Sequence, residues 1–419
     1  MPTLSHASWV AALFALAPFA AQAQGQSPAL PDGAGKDTVQ AVCTACHQTN
    51  MITQSSGYTR EGWKELTGTM VDFSRIPETQ ATITDYLAAH YPPNYNRRAA
   101  KLVPGPMQIT FKEWVMPTLG QRSRDPIQAP DGSIWWAGQF GNLIGRLDPV
   151  TGEMKEYKLP PKAFPHTVEL DPKGIPWYTG NKNGTVGRLD PATGKVTEYK
   201  MPDPNAKDPH TLIFDKKGTA FFTLQNSNMV GRLNPETGDI KLITVPIPNA
   251  KPYGIKEDAQ GAIWFACNGA PCLYKMDPAT MELKEYKLPL GGTTVRRLDI
   301  GEDGMIWYVN SGKGRIGRLD PKTGMAKEWD SPSGPKSHPY AIVVMNGAVW
   351  YNESGVRPDP LVRFDIKSET FQSWAIPSGK IFAGIWRHGR ATREGNLLIH
   401  QSSTNRIIQV TMKRQAAAR

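Results

Sequence analysis

Cysteine is scarce in this chain, with four in 419 residues, which excludes a disulfide-dense scaffold. Long apolar runs are also missing. Trp9 to Ala21 is apolar but too short to cross a bilayer as a helix, and no later segment is apolar enough to span one. No lysine or arginine precedes that run, unlike the usual start of an export signal. Ala21-Gln22-Ala23 is nonetheless a small-x-small cleavage site, so residues 1–23 read as a signal peptide and the destination as the periplasm. No basic cluster is interleaved with aromatics, so the net charge of +10 does not point to nucleic acid.

The charge is unevenly spread. Residues 24–92 hold four Lys/Arg against seven Asp/Glu, a net of −3, which leaves +13 for the remainder. Roughly 400 residues are too many for one ordinary core, so two or more domains are expected. The 39 glycines and 36 prolines beside 12 tryptophans favour turns and strands over long helices.

Two of the few cysteines stand in Cys43-Thr44-Ala45-Cys46-His47, the C-x-x-C-H spacing of c-type haem attachment. Each thiol can add to a haem vinyl group, and His47 then faces the iron. A thioredoxin-like pair or half of a zinc site are the plainer alternatives. Zinc would need a second Cys/His pair nearby, and the next histidine, His90, stands alone.

Residues 35–92 read as a small helical haem-binding unit. Asp37 is expected to cap one helix, Thr59 a second and Pro77 to open a third. Trp63, Leu66 and Met70 share a face on the second helix, which makes Met70 the favoured sixth iron ligand, since a thioether suits electron transfer. Met51 is closer in sequence to His47 and is expected not to reach the opposite side. A methionine on an apolar face is also ordinary core. The unit resembles a compact class I cytochrome c domain.

Residues 93–108 read as a linker, after which the chain becomes periodic. A Trp-aromatic phrase recurs at Trp135, Trp177, Trp264, Trp307 and Trp350, with Phe221 in the same slot, at intervals of 42, 44, 43, 43 and 43 residues. Each is followed by a phrase such as Gly145-Arg146-Leu147-Asp148, a Thr-Gly turn in most cases, and an alternating strand. Such a repeat is a four-stranded propeller blade. Six are clear, and a seventh at Ile381 to Met412 lacks its outermost strand. The orphan run Thr110 to Pro117 has that strand's pattern and would close a seven-bladed β-propeller spanning 109–412.

The periodic part resembles the streptogramin B (virginiamycin B) lyase family. That resemblance implies ester cleavage by elimination at the channel mouth, with a Mg²⁺ site and a catalytic histidine. The corresponding run here is His338-Pro339-Tyr340, followed by Trp350-Tyr351-Asn352-Glu353. Tyr340 stands where the resemblance places the histidine, and His338 where it places an acidic ligand. Glu353 is retained, and Arg296 replaces a histidine one blade earlier. Streptogramin cleavage is therefore not expected, because tyrosine is a poor base at neutral pH unless strongly perturbed.

Repeat register places Arg124, His166, His210, Tyr253, Arg296, Tyr340 and Ala383 at the strand starts, with Glu353 and His400 ending second strands. His166 beside His210, and Glu353 beside His400, are candidate pairs for a divalent metal such as Mg or an anionic ligand. The catalytic candidates are Tyr340, Glu353 and His400, and the substrate-binding candidates His166, His210, Tyr253, Arg296 and His338. The plainer reading is that the histidines satisfy backbone groups at strand starts. Cys267 and Cys272 are expected to form a local disulfide, with free buried thiols as the alternative.

These features favour a monomeric periplasmic haem c protein that transfers electrons, with a propeller that binds a small-molecule substrate or a redox partner. The alternative is a carbon–oxygen lyase or hydrolase of the virginiamycin B type with an accessory haem domain.

Overall fold

The computed structural model describes residues 28–45, 48–95, 98–289, 294–381 and 386–413. Cys46, His47 and Ala383 lie outside the described residues. Seven four-stranded antiparallel sheets form the body of the molecule. In blade 1 the strands run Ser123–Gln128, Ile134–Gly138, Leu143–Leu147 and Met154–Lys158, from channel to rim. Blades 2 to 6 repeat this order, with innermost strands Pro165–Leu170, Pro209–Phe214, Pro252–Glu257, Val295–Ile300 and Pro339–Met345. Blade 7 takes three strands from the C-terminal end, Arg390–Ala391, Leu397–Gln401 and Arg406–Lys413. Its fourth is Gln108–Val115, paired in register from Gln108 opposite Lys413 to Val115 opposite Arg406. Closing the ring this way pairs the edge that each end of the chain would otherwise leave open.

The repeat phrase has a packing explanation. Each second-strand tryptophan stacks on an aromatic of the fourth strand, as Trp135 on Tyr157 with centroids 5.7 Å apart and Trp177 on Tyr199 at 5.5 Å. The glycine of the third strand lies opposite an aromatic ring of the second. Gly187 pairs with Tyr178, and a Cβ on Gly187 would come 2.2 Å from that ring's Cζ. In blade 4, Tyr274 takes the glycine's place and stacks on Phe265 instead, at 5.2 Å. The pattern thus reports which ring covers which backbone.

The helical unit comprises α1 (Lys36–Cys43), α2 (Thr49–Thr53), α3 (Arg60–Gly68) and α4 (Pro77–His90). Thr59 caps α3, its hydroxyl accepting the Gly62 N–H at 3.0 Å, and Pro77 opens α4. Two expectations need correction. Asp37 sits inside the first turn of α1, and the capping position is Gly35 in the left-handed region. Met70 lies beyond the end of α3, in a turn where its N–H donates to the Thr67 carbonyl at 3.0 Å.

The segment read as a linker is tied to the propeller. Ala100 N donates to the Arg357 carbonyl, Lys101 N to the Ser333 hydroxyl, and Val103 N to the Ser373 hydroxyl. The helical unit rests on the same body. Gly120 N donates to the Thr69 carbonyl at 3.0 Å, Ser56 N to the Lys380 carbonyl at 2.8 Å, and Ile381 is buried among the helical core residues. No helix among the described residues is long and apolar enough to cross a membrane.

Candidate functional site

The innermost strand of every blade from 1 to 6 carries a register shift near its start, between Pro165 and Val168 in blade 2 and between Pro339 and Ile342 in blade 6, for example. A bulge re-aims the residues it contains. His166, His210, Tyr253, Arg296 and Tyr340 are the first bulged residues of their strands, and all five line one cavity of about 870 Å³ at the channel mouth. His338 and Arg124 line it too. The residue before the strand-start proline is left-handed in Phe164, Asp208, Lys251 and His338, with φ of 45°, 56°, 53° and 53°. Non-glycine residues in this region are uncommon and recur here at the mouth.

The side chains form a continuous arc. The His166 and His210 ring centroids are 3.5 Å apart, and His210 lies 4.1 Å from Tyr253. The Tyr253 and Tyr340 hydroxyls are 2.5 Å apart. Arg296 lies over Tyr340, its guanidinium carbon 4.5 Å from the ring centroid, and its Nη1 donates to the Tyr340 hydroxyl at 3.4 Å. Arg387 lies over the same ring at 5.8 Å.

This setting changes the acidity of Tyr340. Burial alone would raise its pKa, but the Arg296 and Arg387 guanidiniums outweigh burial and bring it down to about 7. Tyr253 moves the other way, because it is buried and faces a neighbour that carries the negative charge. The setting therefore favours loss of one proton from the pair at Tyr340, with the other kept in the hydrogen bond between the two oxygens. His166 and His210 are held neutral, first by burial and then by the arginines around them.

The mouth is strongly basic. Among the described residues its lining includes seven lysines and arginines against a single acidic residue, Asp208. Arg124 is only 2% exposed, donates Nη1 to Gln139 at 2.8 Å, and leaves Nε and Nη2 buried without a hydrogen-bond partner among the described residues. Arg296 and Arg387 each leave Nε in the same state. Unpaired buried N–H groups of cations are costly, and an anion in the mouth would satisfy them.

Glu353 and His400 do not line this cavity. Both Glu353 oxygens accept from Ser333, one from its N–H at 2.8 Å and one from its hydroxyl, and burial raises the acid's pKa. His400 Nε2 accepts from the Arg387 and His388 N–H groups at 3.2 and 3.4 Å, while Nδ1 meets the Ser402 hydroxyl. Both residues are held by local partners, and neither is part of the lining of the mouth. Sequence reasoning missed Arg387, Arg122 and a buried channel cluster in which Asp125 accepts from Thr167 at 2.8 Å and His388 at 3.2 Å. Arg387 and His388 fall at the irregular entry to blade 7 and Asp125 inside the bulge of blade 1, where periodicity gives no register, whereas Arg122 directly precedes the first strand of blade 1, as His338 does in blade 6.

Among the described residues, no group of three or more His, Cys, Asp and Glu is arranged to hold a metal ion. Cys267 and Cys272 are buried as two thiols with sulfurs 2.7 Å apart, not as the expected disulfide. The helical unit contains a second cavity, of about 600 Å³. Its helical side is apolar, with Val42, Cys43, Met51, Met70, Phe73 and Ile83, and its opposite wall is propeller, including Leu119, Gly120 and Ser403. Met51 and Met70 both line it.

The profile of the virginiamycin B lyase family matches residues 106–357 and again 240–417. No curated protein matches the chain significantly by sequence. Among solved structures, a streptogramin B lyase superposes with a TM-score of 0.66 at 24% identity, covering 73% of this chain and 98% of that one. The virginiamycin B lyase from Staphylococcus aureus gives 0.65 at 22% identity, covering 73% and 99%. A catalytically inactive variant of that enzyme with quinupristin gives 0.65 at 21%, again covering 73% and 99%. These likenesses carry the seven-bladed fold, and the profile match spans most of the chain. The chain belongs to the virginiamycin B lyase family.

Proposed function

We propose that the propeller mouth is the active site of a carbon–oxygen lyase that takes an anionic substrate and uses the Tyr340 phenolate as its base. The observation that carries this reading is the Tyr340 hydroxyl held between Arg296, Arg387 and Tyr253, with its pKa brought down to about 7. A base that titrates near the working pH is available and still strong enough to take a proton. In the elimination, the phenolate oxygen accepts a proton from the substrate carbon. The electron pair of that C–H bond becomes the new C=C bond, and the C–O bond breaks with its electrons leaving on oxygen. Arg124 and Arg296 would hold the substrate's anionic group and the departing oxygen. Tyr253 keeps its proton and positions the phenolate.

The test is turnover of a panel of carboxylate-bearing esters, with products identified by mass spectrometry. Formation of an unsaturated product by the wild type, lost in Tyr340→Phe, supports the reading. Hydrolytic products with added water, or equal activity in Tyr340→Phe, would reject it.

A second reading concerns the helical unit, which we propose carries covalent haem c after export to the periplasm. It is supported by the C-x-x-C-H spacing and by the apolar cavity that Cys43, Met51 and Met70 line. Cys43 and Cys46 would hold the porphyrin, and His47 and Met70 would be the ligands of its iron. Bound haem supplies a one-electron couple beside the mouth. Expression with a haem c maturation system should give a covalent haem spectrum, and a protein that stays colourless would exclude this reading.

A further inference from the structure

The two cavities share a wall. Arg122, Phe140 and Arg387 line both the basic mouth and the apolar cavity of the helical unit. Phe140 is the divider, 46% exposed although aromatic, and the Arg122 guanidinium carbon lies over its ring at 4.8 Å. Arg387 reaches the other way, over Tyr340, and its Nε is buried without a partner among the described residues. Burial lowers the Arg122 pKa to about 8, with repulsion from Arg387 and Arg124 adding to it. Two cations thus stand crowded between two chambers, and Arg387 keeps a buried N–H unpaired among the described residues.

An apolar cavity beside the Cys43 attachment point fits the flat face of haem, but haem also carries two carboxylates that need charged partners. Among the described residues the helical lining offers no cation, whereas the propeller wall offers Arg122 and Arg387. The same two guanidiniums face the anion site of the mouth. We infer that Arg122 and Arg387 are shared between the haem carboxylates on one side and an anionic ligand in the mouth on the other, so that ligand binding and haem reduction are thermodynamically coupled. This rests on the haem reading given above.

The sign follows from charge. An anion that draws on these arginines leaves the haem less positively surrounded, which favours the oxidised form. The ligand therefore binds the oxidised protein more tightly than the reduced, and by reciprocity it lowers the reduction potential. A carboxylate or phosphate is the class of ligand that the unpaired arginine N–H groups of the mouth select.

The experiment is a spectroelectrochemical titration of the matured full-length protein, with inorganic phosphate as the probe and ionic strength held constant with chloride. We expect phosphate to bind the oxidised form at least about fivefold more tightly, a downward shift of about 40 mV at 59 mV per tenfold. Arg122→Gln and Arg387→Gln should each lower the phosphate-free potential and shrink the phosphate shift. Far-ultraviolet circular dichroism of each variant separates this from misfolding, and Arg387→Lys, which keeps the charge, should retain most of the shift. A haem spectrum whose potential ignores phosphate in the wild type overturns the coupling while leaving haem attachment intact. Absence of a haem spectrum fails the earlier reading instead.

Discussion

Tyr253 and Tyr340 meet through hydroxyls 2.5 Å apart although 87 residues and an entire blade separate them. The blade between them contributes Arg296, whose guanidinium lies over both rings, at 5.8 Å from Tyr253 and 4.5 Å from Tyr340. A phenol pair beneath a cation stabilises one phenolate, and the remaining phenol donates to it. The chemistry of the mouth follows from this arrangement.

Anion affinity should depend on Arg124. Its buried Nε and Nη2 lack partners among the described residues, so a ligand gains charge-assisted hydrogen bonds there. Replacing it by Gln should cost about 1.5–3 kcal/mol of phosphate or carboxylate binding, roughly ten- to hundredfold in Kd. Isothermal titration checks this, and unchanged affinity would place the anion elsewhere.

Acid should destabilise the fold through buried histidines. Burial lowers the pKa of His166, His210, His388, His338 and His400, the last two to about 4 and about 3. These groups stay neutral when folded and protonate when unfolded. Their contribution is therefore complete above pH 6.5 and is lost as pH falls from there toward the folded values. Each costs about 1.4 kcal/mol per pH unit within that window. The urea midpoint should fall markedly between pH 7 and 5.5. A flat midpoint would mean these histidines protonate in place.

Ring closure should be essential. Trp114 is buried on the strand Gln108–Val115, where it packs with Trp136, Leu398 and Ile407. Trp114→Ala should cost about 3–5 kcal/mol, and deletion of 108–117 should expose two sheet edges and cause aggregation. A soluble, cooperatively melting fragment that begins at Gln121 would contradict the closure.

Iron ligation, if haem is attached, should involve Met70. In the matured protein, Met70→Ala should abolish the sulfur-to-iron absorption band and lower the potential. Loss of that band in Met51→Ala with retention in Met70→Ala would assign the ligand to α2 instead.

Much of the fold was legible because its blades repeat. The tryptophan slot at 135, 177, 264, 307 and 350 marks a ring contact made in five of the seven blades, so periodicity reports geometry directly. The same register placed His166, His210, Tyr253, Arg296 and Tyr340 together. It misjudged Glu353 and His400 because repeat position does not say whether local partners, Ser333 for one and two backbone N–H groups for the other, already occupy a side chain. Arg387 was invisible because its strand is replaced by an irregular entry to blade 7. The acidity of Tyr340 depends on three residues far apart in sequence, and no local pattern encodes it.

The most direct measurement is an ultraviolet titration of tyrosine ionisation in the folded protein, comparing wild type with Tyr340→Phe and Arg296→Gln. The account predicts that one tyrosine of the wild type ionises near pH 7, that this step vanishes in Tyr340→Phe, and that it moves upward when Arg296 loses its charge. A wild type in which no tyrosine ionises below about pH 9, close to the ordinary value of ~10, would contradict it.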